Sequence, residues 1–233
     1  YGSMNFTITR QNLHNGLAAV SASIPSKTTL PVLSNILFEA KEDAVWMSGT
    51  DLDVAVRVKV PADVKELGRL TAPGKKLQEI TRELPEQPVE VATHGEQIEL
   101  KCGRSNFKLN GLPADEFPSL PEVDFSEGWT VTGKDVNGLI HHTTFAVSTE
   151  ESRPILNGVL WELREGSMRM VATNGHRLAR MGVPAESGGA PSADFIVPPG
   201  ALQHVQRLFK KNNSLKVALS GNHPGFQPNS PEV

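Results

Sequence analysis

Thr173, His176 and Arg177 place a hydroxyl, an imidazole and a guanidinium around the dipeptide Asn174-Gly175. A hydroxyl beside a base is the beginning of nucleophilic catalysis, which also needs a group to orient the base and a cleft to gather them. No second cluster in the chain completes such a set. Two other readings of the same residues stay open. One is an exposed hairpin with polar side chains. The other is a partner-binding surface, in which Leu156 and Leu178 are apolar anchors beside charge. His141-His142 has ligand chemistry, but neighbours on a helix point about 100° apart and cannot easily share one ion. With no Cys or Glu at ligand spacing beside them, no metal is expected, and no other cofactor. Cys102 is the single cysteine and reads as a buried strand residue. It excludes an internal disulfide framework and suits a reducing, cytoplasmic setting.

These residues sit in a repeated stretch. Residues 170–186 (MVATNGHRLARMGVPAE) echo residues 47–63 (MSGTDLDVAVRVKVPAD) at an offset of 123 positions. Met47 falls on Met170, Thr50 on Thr173 and Arg57 on Arg180. The same offset carries Phe6-Thr7-Ile8-Thr9 to Trp129-Thr130-Val131-Thr132, and an offset of 125 carries Leu77-Gln78 to Leu202-Gln203. An insertion at Ser187-Gly188-Gly189-Ala190 accounts for the slip, because a loop absorbs added length at little cost. So long a period makes each copy a whole domain instead of a solenoid unit. Copy one has Thr50, Asp53 and Val54 where copy two has Thr173, His176 and Arg177. The copies share the scaffold but not the polar set, which counts against catalysis.

Composition agrees with two ordinary domains. The 233 residues are 38% hydrophobic and 21% charged, outside the disordered range. A net charge of −3 excludes a uniformly basic nucleic-acid binder, although clustered charge can still bind DNA. No run of about 18 apolar residues predicts a membrane span, and no secretory signal is visible. Tyr1-Gly2-Ser3 ahead of Met4 reads as an expression scar.

Periodicity predicts an α+β fold with antiparallel sheets backed by two helices in each copy. In copy one a strand at 5–9 leads into a helix at 10–21 capped by Thr9, then strands at 32–40, 44–48 and 51–60. Pro73 opens a second helix at 74–83, and three strands follow at 89–92, 97–102 and 106–109. Residues 113–127, with three prolines and five acids, read as an extended connector. Copy two repeats the order, with strands at 167–172 and 176–183 flanking Asn174-Gly175, the pair of a tight hairpin. Its closing strands are expected to be missing, because prolines at 224, 228 and 231 cannot donate to a ladder.

The helices hold the informative charge. Arg10, Lys75, Lys76, Arg82, Lys134, Arg207, Lys210 and Lys211 fall in or beside them, with His14, His141, His142 and His204 and few acids. A solvated helix face is one reading. A surface that follows phosphate backbone without reading bases is the other.

In combination, TLPVLSNILFE (29–39), GTDLD (49–53), GRSNFKLNGLPADEFP (103–118), RPILNGVLWE (153–162) and VATNGHRLA (171–179) are highly specific, and through them the chain resembles the bacterial DNA sliding clamp family, the beta subunit of DNA polymerase III. The resemblance implies a duplicated DNA-clamp fold and a non-catalytic processivity factor that encircles double-stranded DNA. In that family two three-domain protomers close head to tail. Implied partners are the DNA polymerase III alpha subunit, the clamp loader and other proteins carrying clamp-binding motifs, with no membrane. Residues 4–122 would be the N-terminal domain and 123–233 an incomplete central domain, with a third domain absent, so a truncated form is expected. The edge at 105–109, which the family uses for head-to-tail contact, would then be unpaired. Carried over by position, Lys27, Lys75, Arg153 and Pro154 would face DNA. Glu150 and Pro154-Ile155 depart from better-known relatives in that loop. Leu156, Thr173, Gly175, His176, Arg177 and Leu178 would form one wall of the partner-peptide pocket.

Overall fold

In the computed structural model, residues 3–185, 192–209, 214–221 and 223–228 are described. They form two compact units, Tyr1–Leu120 and Pro121–Val233. The inserted 187–190, the lysines at 210 and 211, and residues 229–233 lie outside the described residues.

In the first unit β1 (Asn5–Thr9) runs into α1 (Arg10–Ser21). Thr9 caps the helix, its hydroxyl accepting from the Asn12 N–H at 3.1 Å, which satisfies one of the free donors of the first turn. Five strands follow: β2 (Asn35–Lys41), β3 (Ala44–Thr50), β4 (Ala55–Pro61), β5 (Asp63–Glu66) and β6 (Gly68–Pro73). Then come α2 (Gly74–Glu83), β7 (Pro88–His94), β8 (Gln97–Cys102) and β9 (Ser105–Asn110). The strands make two antiparallel sheets, β5-β1-β7-β8-β9 and β4-β3-β2-β6. Leu13, Leu17, Val20 and Leu77 on the helices and Phe6, Phe38, Met47 and Leu100 on the strands are buried. The α1 helix meets β3 so closely that a Cβ on Gly16 would lie 2.7 Å from Met47 Sδ.

The second unit repeats this order with β10 (Trp129–Thr132), α3 (Gly133–Thr143), β11 (Val159–Arg164), β12 (Ser167–Thr173), β13 (Leu178–Pro184), β14 (Ala193–Val197), α4 (Pro199–Leu208), β15 (Ser214–Ser220) and β16 (His223–Pro228). Its sheets are β10-β15-β16 and β13-β12-β11-β14. Trp161, Met170, Leu139 and Leu202 are central in one apolar core. Each described element starts within a residue or two of its counterpart at the offsets read from the sequence. The fold is α+β and duplicated.

The sequence reading departs from this in five places. Residues 31–34 are a 3-10 turn and 51–54 a tight turn, so β2 and β4 start later than expected. β5 and β6 were not foreseen, since residues 63–73 mix charge, glycine and β-formers without clear alternation. Of the two closing strands expected to be missing from copy two, the counterpart of β8 is present as β16, which corrects that part of the expectation. Its Pro224 and Pro228 pair opposite Leu219 and Leu215 on an edge strand, the position where a missing N–H is tolerated. The connector is not simply extended. Phe117 is buried with Val32 and Leu37 in the first unit, and Thr71 and Leu112 exchange backbone hydrogen bonds. Within the second unit a Cβ on Gly225 would touch Val123. Finally, the Asn174-Gly175 hairpin has a longer loop than expected.

Candidate functional site

The β12–β13 loop is built by side chains bonding to its own backbone. Thr173 pairs with Leu178, leaving residues 174–177 as the loop. Thr173 Oγ1 donates to the Arg177 carbonyl at 2.8 Å and accepts from the Gly175 N–H at 3.1 Å. Asn174 Oδ1 accepts from the N–H groups of His176 at 3.0 Å and Arg177 at 2.9 Å. An Asx side chain of this kind mimics a backbone turn and so sets the loop length. Gly175 takes the left-handed position, with φ +89°, which glycine adopts at no steric cost. The Thr173 hydroxyl proton is committed to a carbonyl, the geometry of a turn clamp and not of an activated nucleophile.

The loop leaves its outward side chains free to project. His176, Arg177 and Leu178 are exposed, Leu178 by 65%. Arg177 reaches back to the short 3-10 turn Thr144–Ala146 that follows α3. Its Nη2 donates to the Phe145 carbonyl at 2.5 Å, and its guanidinium carbon lies 5.8 Å from the Phe145 ring centroid. Phe145 is 61% exposed and Ile155 is 69% exposed. Leu156, half-buried, belongs to the 3-10 turn Pro154–Asn157. Its carbonyl accepts from the Ser148 N–H at 2.9 Å. Arg153, with Glu150 3.7 Å away, comes close enough to the loop that a Cβ on Gly175 would sit 3.1 Å from its Nη1. The turn thus carries the exposed Leu178, has the Phe145 ring against its Arg177 and has the Arg153 guanidinium close to Gly175. Such a surface suits a short peptide that offers apolar anchors beside an acidic group.

Of the residues singled out from sequence, Thr173, Gly175, His176, Arg177 and Leu178 form this turn. Leu156 lies on the loop that sends Arg153 to it. The resemblance has Arg153 and Pro154 facing DNA, and the structure sets Arg153 beside the turn. Phe145 and Ile155 were not singled out as site residues. The available signal was weak: two large apolar residues in segments without helical or strand periodicity. Lys27 and Lys75 lie in the first unit, exposed, on the loop after α1 and in the first turn of α2. Lys76, Arg82 and Lys134 are exposed as well. Arg10 is a correction to the free helix cations. Its Nε and Nη2 donate to the carbonyls of Thr81 and Arg82 at 3.2 and 3.0 Å, and it pairs with Glu86. It ties the start of α1 to the C-terminal end of α2, where carbonyls lack helical partners. Arg207 likewise sits 3.3 Å from His204 on α4. His142 Nδ1 lies 2.8 Å from the Gly138 carbonyl and the His141 ring meets it edge-on.

The profile of the DNA polymerase III beta subunit N-terminal domain matches residues 4–121, and that of its central domain matches residues 130–230. The chain belongs to the beta sliding clamp family. The beta sliding clamp of Chlamydia trachomatis is 34% identical over 97% of this chain and 59% of its own length. That of Pseudomonas aeruginosa is 34% identical over 94% of this chain and 61% of its own. The chain thus spans about three fifths of these clamps. Among solved structures, a P. aeruginosa DnaN sliding clamp bound to griselimycin superposes with a TM-score of 0.88 at 32% identity, covering 97% of this chain and 62% of that one. The Bacillus subtilis sliding clamp gives 0.92 at 28% identity, covering 96% and 62%. The likeness to these clamps runs through both units.

Proposed function

We propose that the chain supplies the N-terminal and central domains of a replicative processivity factor, a sliding clamp without chemistry of its own. As part of a ring it would enclose double-stranded DNA and tether the polymerase, the clamp loader and repair proteins through short peptides. Lys27, Lys75, Arg153 and Pro154 would contact phosphate without reading sequence, as lysine and arginine contacts to the backbone do. Leu156, Thr173, Gly175, His176, Arg177 and Leu178 would take the partner peptide. Its place would be the cytoplasm, associated with the DNA-directed DNA polymerase holoenzyme, a nucleotidyltransferase to which it adds no catalytic group. No helix among the described residues is long and apolar enough to cross a membrane.

One observation carries the peptide reading: a self-bonded turn exposes Leu178 and holds Arg177 against the exposed Phe145. A fluorescein-labelled acidic-aliphatic peptide tests it by anisotropy. Arg177→Ala is expected to weaken binding about tenfold, while unchanged affinity overturns the reading. Retention on closed circular but not linear DNA, with polymerase processivity as the second readout, tests the ring. Loss of retention in Lys75→Glu but not in Arg177→Ala is the expected separation of the two surfaces.

A further inference from the structure

The solvent-facing sides of the β4-β3-β2-β6 and β13-β12-β11-β14 sheets carry related charges that are used differently. At the repeat offset of 123, Glu39, Lys41 and Arg57 correspond to Glu162, Arg164 and Arg180, whereas Trp46 and Lys59 correspond to Arg169 and Gly182. In the first unit Arg57 is engaged. Its Nη2 donates to Glu39 at 3.1 Å, and its guanidinium carbon lies 4.5 Å from the Trp46 ring centroid. Lys59 lies over the same ring at 5.8 Å. In the second unit the arginine at the tryptophan position takes the glutamate, Arg169 Nε donating to Glu162 Oε2. Arg164 is held by Asp194, with Nη2 donating to Oδ2 at 3.0 Å. Arg180 has thereby lost both partners that its counterpart Arg57 has. Among the described residues, neither its guanidinium nor the two Nη groups of Arg169 have a hydrogen-bond or ion-pair partner.

The register sets these free donors side by side. Arg169 pairs opposite Gly182 and Val171 opposite Arg180, so the two arginines are diagonal neighbours, about 7–8 Å apart at their backbones. Glycine leaves the place opposite Arg169 without a side chain. A cleft of about 480 Å³ opens there, lined among others by Glu162, Arg164, Ser167, Arg169, Arg180 and Gly182. We propose that this cleft is an oxyanion site for a phosphate monoester, either free phosphate or a phosphorylated side chain. Charge sets the sign of the ligand: Glu162 offsets Arg169 and Asp194 offsets Arg164, which leaves the charge of Arg180 uncompensated. Donor count sets its class. The two oxygens of a carboxylate fill one guanidinium fork, whereas the three oxygens of a phosphate monoester can accept from Arg169, Arg180 and the Ser167 hydroxyl together. None of these residues belongs to the β12–β13 loop or to the phosphate-facing cations of the first unit, so the site stands apart from both proposed surfaces.

Amide and arginine side-chain NMR of the chain, titrated with inorganic phosphate at constant ionic strength, tests the site. Saturable shifts are expected at Arg169, Arg180 and Gly182. Two variants approach the cleft differently. Arg180→Gln removes the free charge, and Gly182→Val fills the cleft without changing charge. A Cβ on Gly182 meets nothing nearer than 3.6 Å, and a β-branched residue suits a strand, so folding is preserved and a melting curve checks it. Each variant is expected to weaken phosphate binding about tenfold, while Arg57→Gln in the first unit leaves it unchanged. A second titration with the peptide Ala-Ala-phosphoserine-Ala-Ala separates the sources. Tighter binding than phosphate assigns a phosphorylated side chain, and equal or weaker binding assigns free phosphate; either supports the site. Three results overturn it: no saturation by about 10 mM phosphate, equal shifts with acetate, or affinity within about twofold of the parent in both cleft variants. Tighter binding of oligothymidylate than of either phosphate probe at the same amides also overturns it, in favour of a nucleic-acid surface.

Discussion

Residues 50–55 and 173–178 fold into the same turn, yet present different surfaces. In both, the threonine hydroxyl donates to the carbonyl four residues on at 2.8 Å and accepts an N–H two residues on, at 3.0 and 3.1 Å. In both, an Asx oxygen takes the next two N–H groups, and the Asx N–H bonds the carbonyl three residues on. Thr and Asp or Asn thus fix the backbone from inside. Positions 53–54 and 176–177 then vary, Asp-Val in one copy and His-Arg in the other, while positions 52 and 175, both at positive φ, hold Leu and Gly. Duplication kept the scaffold because its bonds are local. It let the side chains at 53–54 and 176–177 diverge because the turn's own bonds use only their backbone groups.

The sharpest test exchanges the one residue that the shared backbone treats differently. Gly175→Leu puts a side chain at φ +89° and into Arg153, and is expected to cost about 1–3 kcal/mol. The converse, Leu52→Gly, releases that strain and loses backbone entropy of similar size, leaving stability nearly unchanged. Denaturant titration followed through amide signals of each unit reads both, and a large cost for Leu52→Gly would break the comparison. Next, Asp51→Ala and Asn174→Ala each strip an acceptor from two N–H groups. Each should lose about 1 kcal/mol, and clearly unequal losses would mean that the two turns are not held alike. Smaller again, Arg177→Ala removes one exposed bond to the Phe145 carbonyl, about 0.5 kcal/mol of folding stability. Its effect belongs to peptide affinity, not to the fold.

The smallest effect is one of pH. The hydrogen bonds from Arg164 hold the Asp194 carboxyl below the usual aspartate value. A depressed folded-state pKa adds stability above the unfolded value of about 3.9, and that stability is lost as pH falls through the folded value. The repeat offset of 125 puts Arg69 at the matching place in copy one, where it pairs with Asp115. Carboxyl chemical shifts should therefore show Asp194 titrating at higher pH in Arg164→Ala. An unmoved midpoint would remove the pair from the account.

Much of this was legible in the chain, and the failures have physical causes. The Asn-Gly pair marked a hairpin correctly but not its length, because the loop is set by the Thr173 and Asn174 side chains rather than by two left-handed residues. The prolines in β16 argued against a strand. They are accommodated because β16 lies at a sheet edge, and edge or centre is a property of the sheet, not of the segment. Phe117 looked like connector, but its burial with Val32 and Leu37 comes from residues about 80 positions earlier.

From the sequence alone came the duplication, the α+β class and the hairpin at Asn174-Gly175, because repeats, periodicity and turn-forming pairs are encoded within a few neighbouring positions or in a fixed offset. Only the tertiary structure decided what the long cations do. Arg10 is spent on the end of α2, Arg177 reaches back to Phe145, and Arg153 lies beside Gly175. Flexible side chains of this kind take whatever partner the fold brings within reach, and those partners lie up to 76 positions away along the chain.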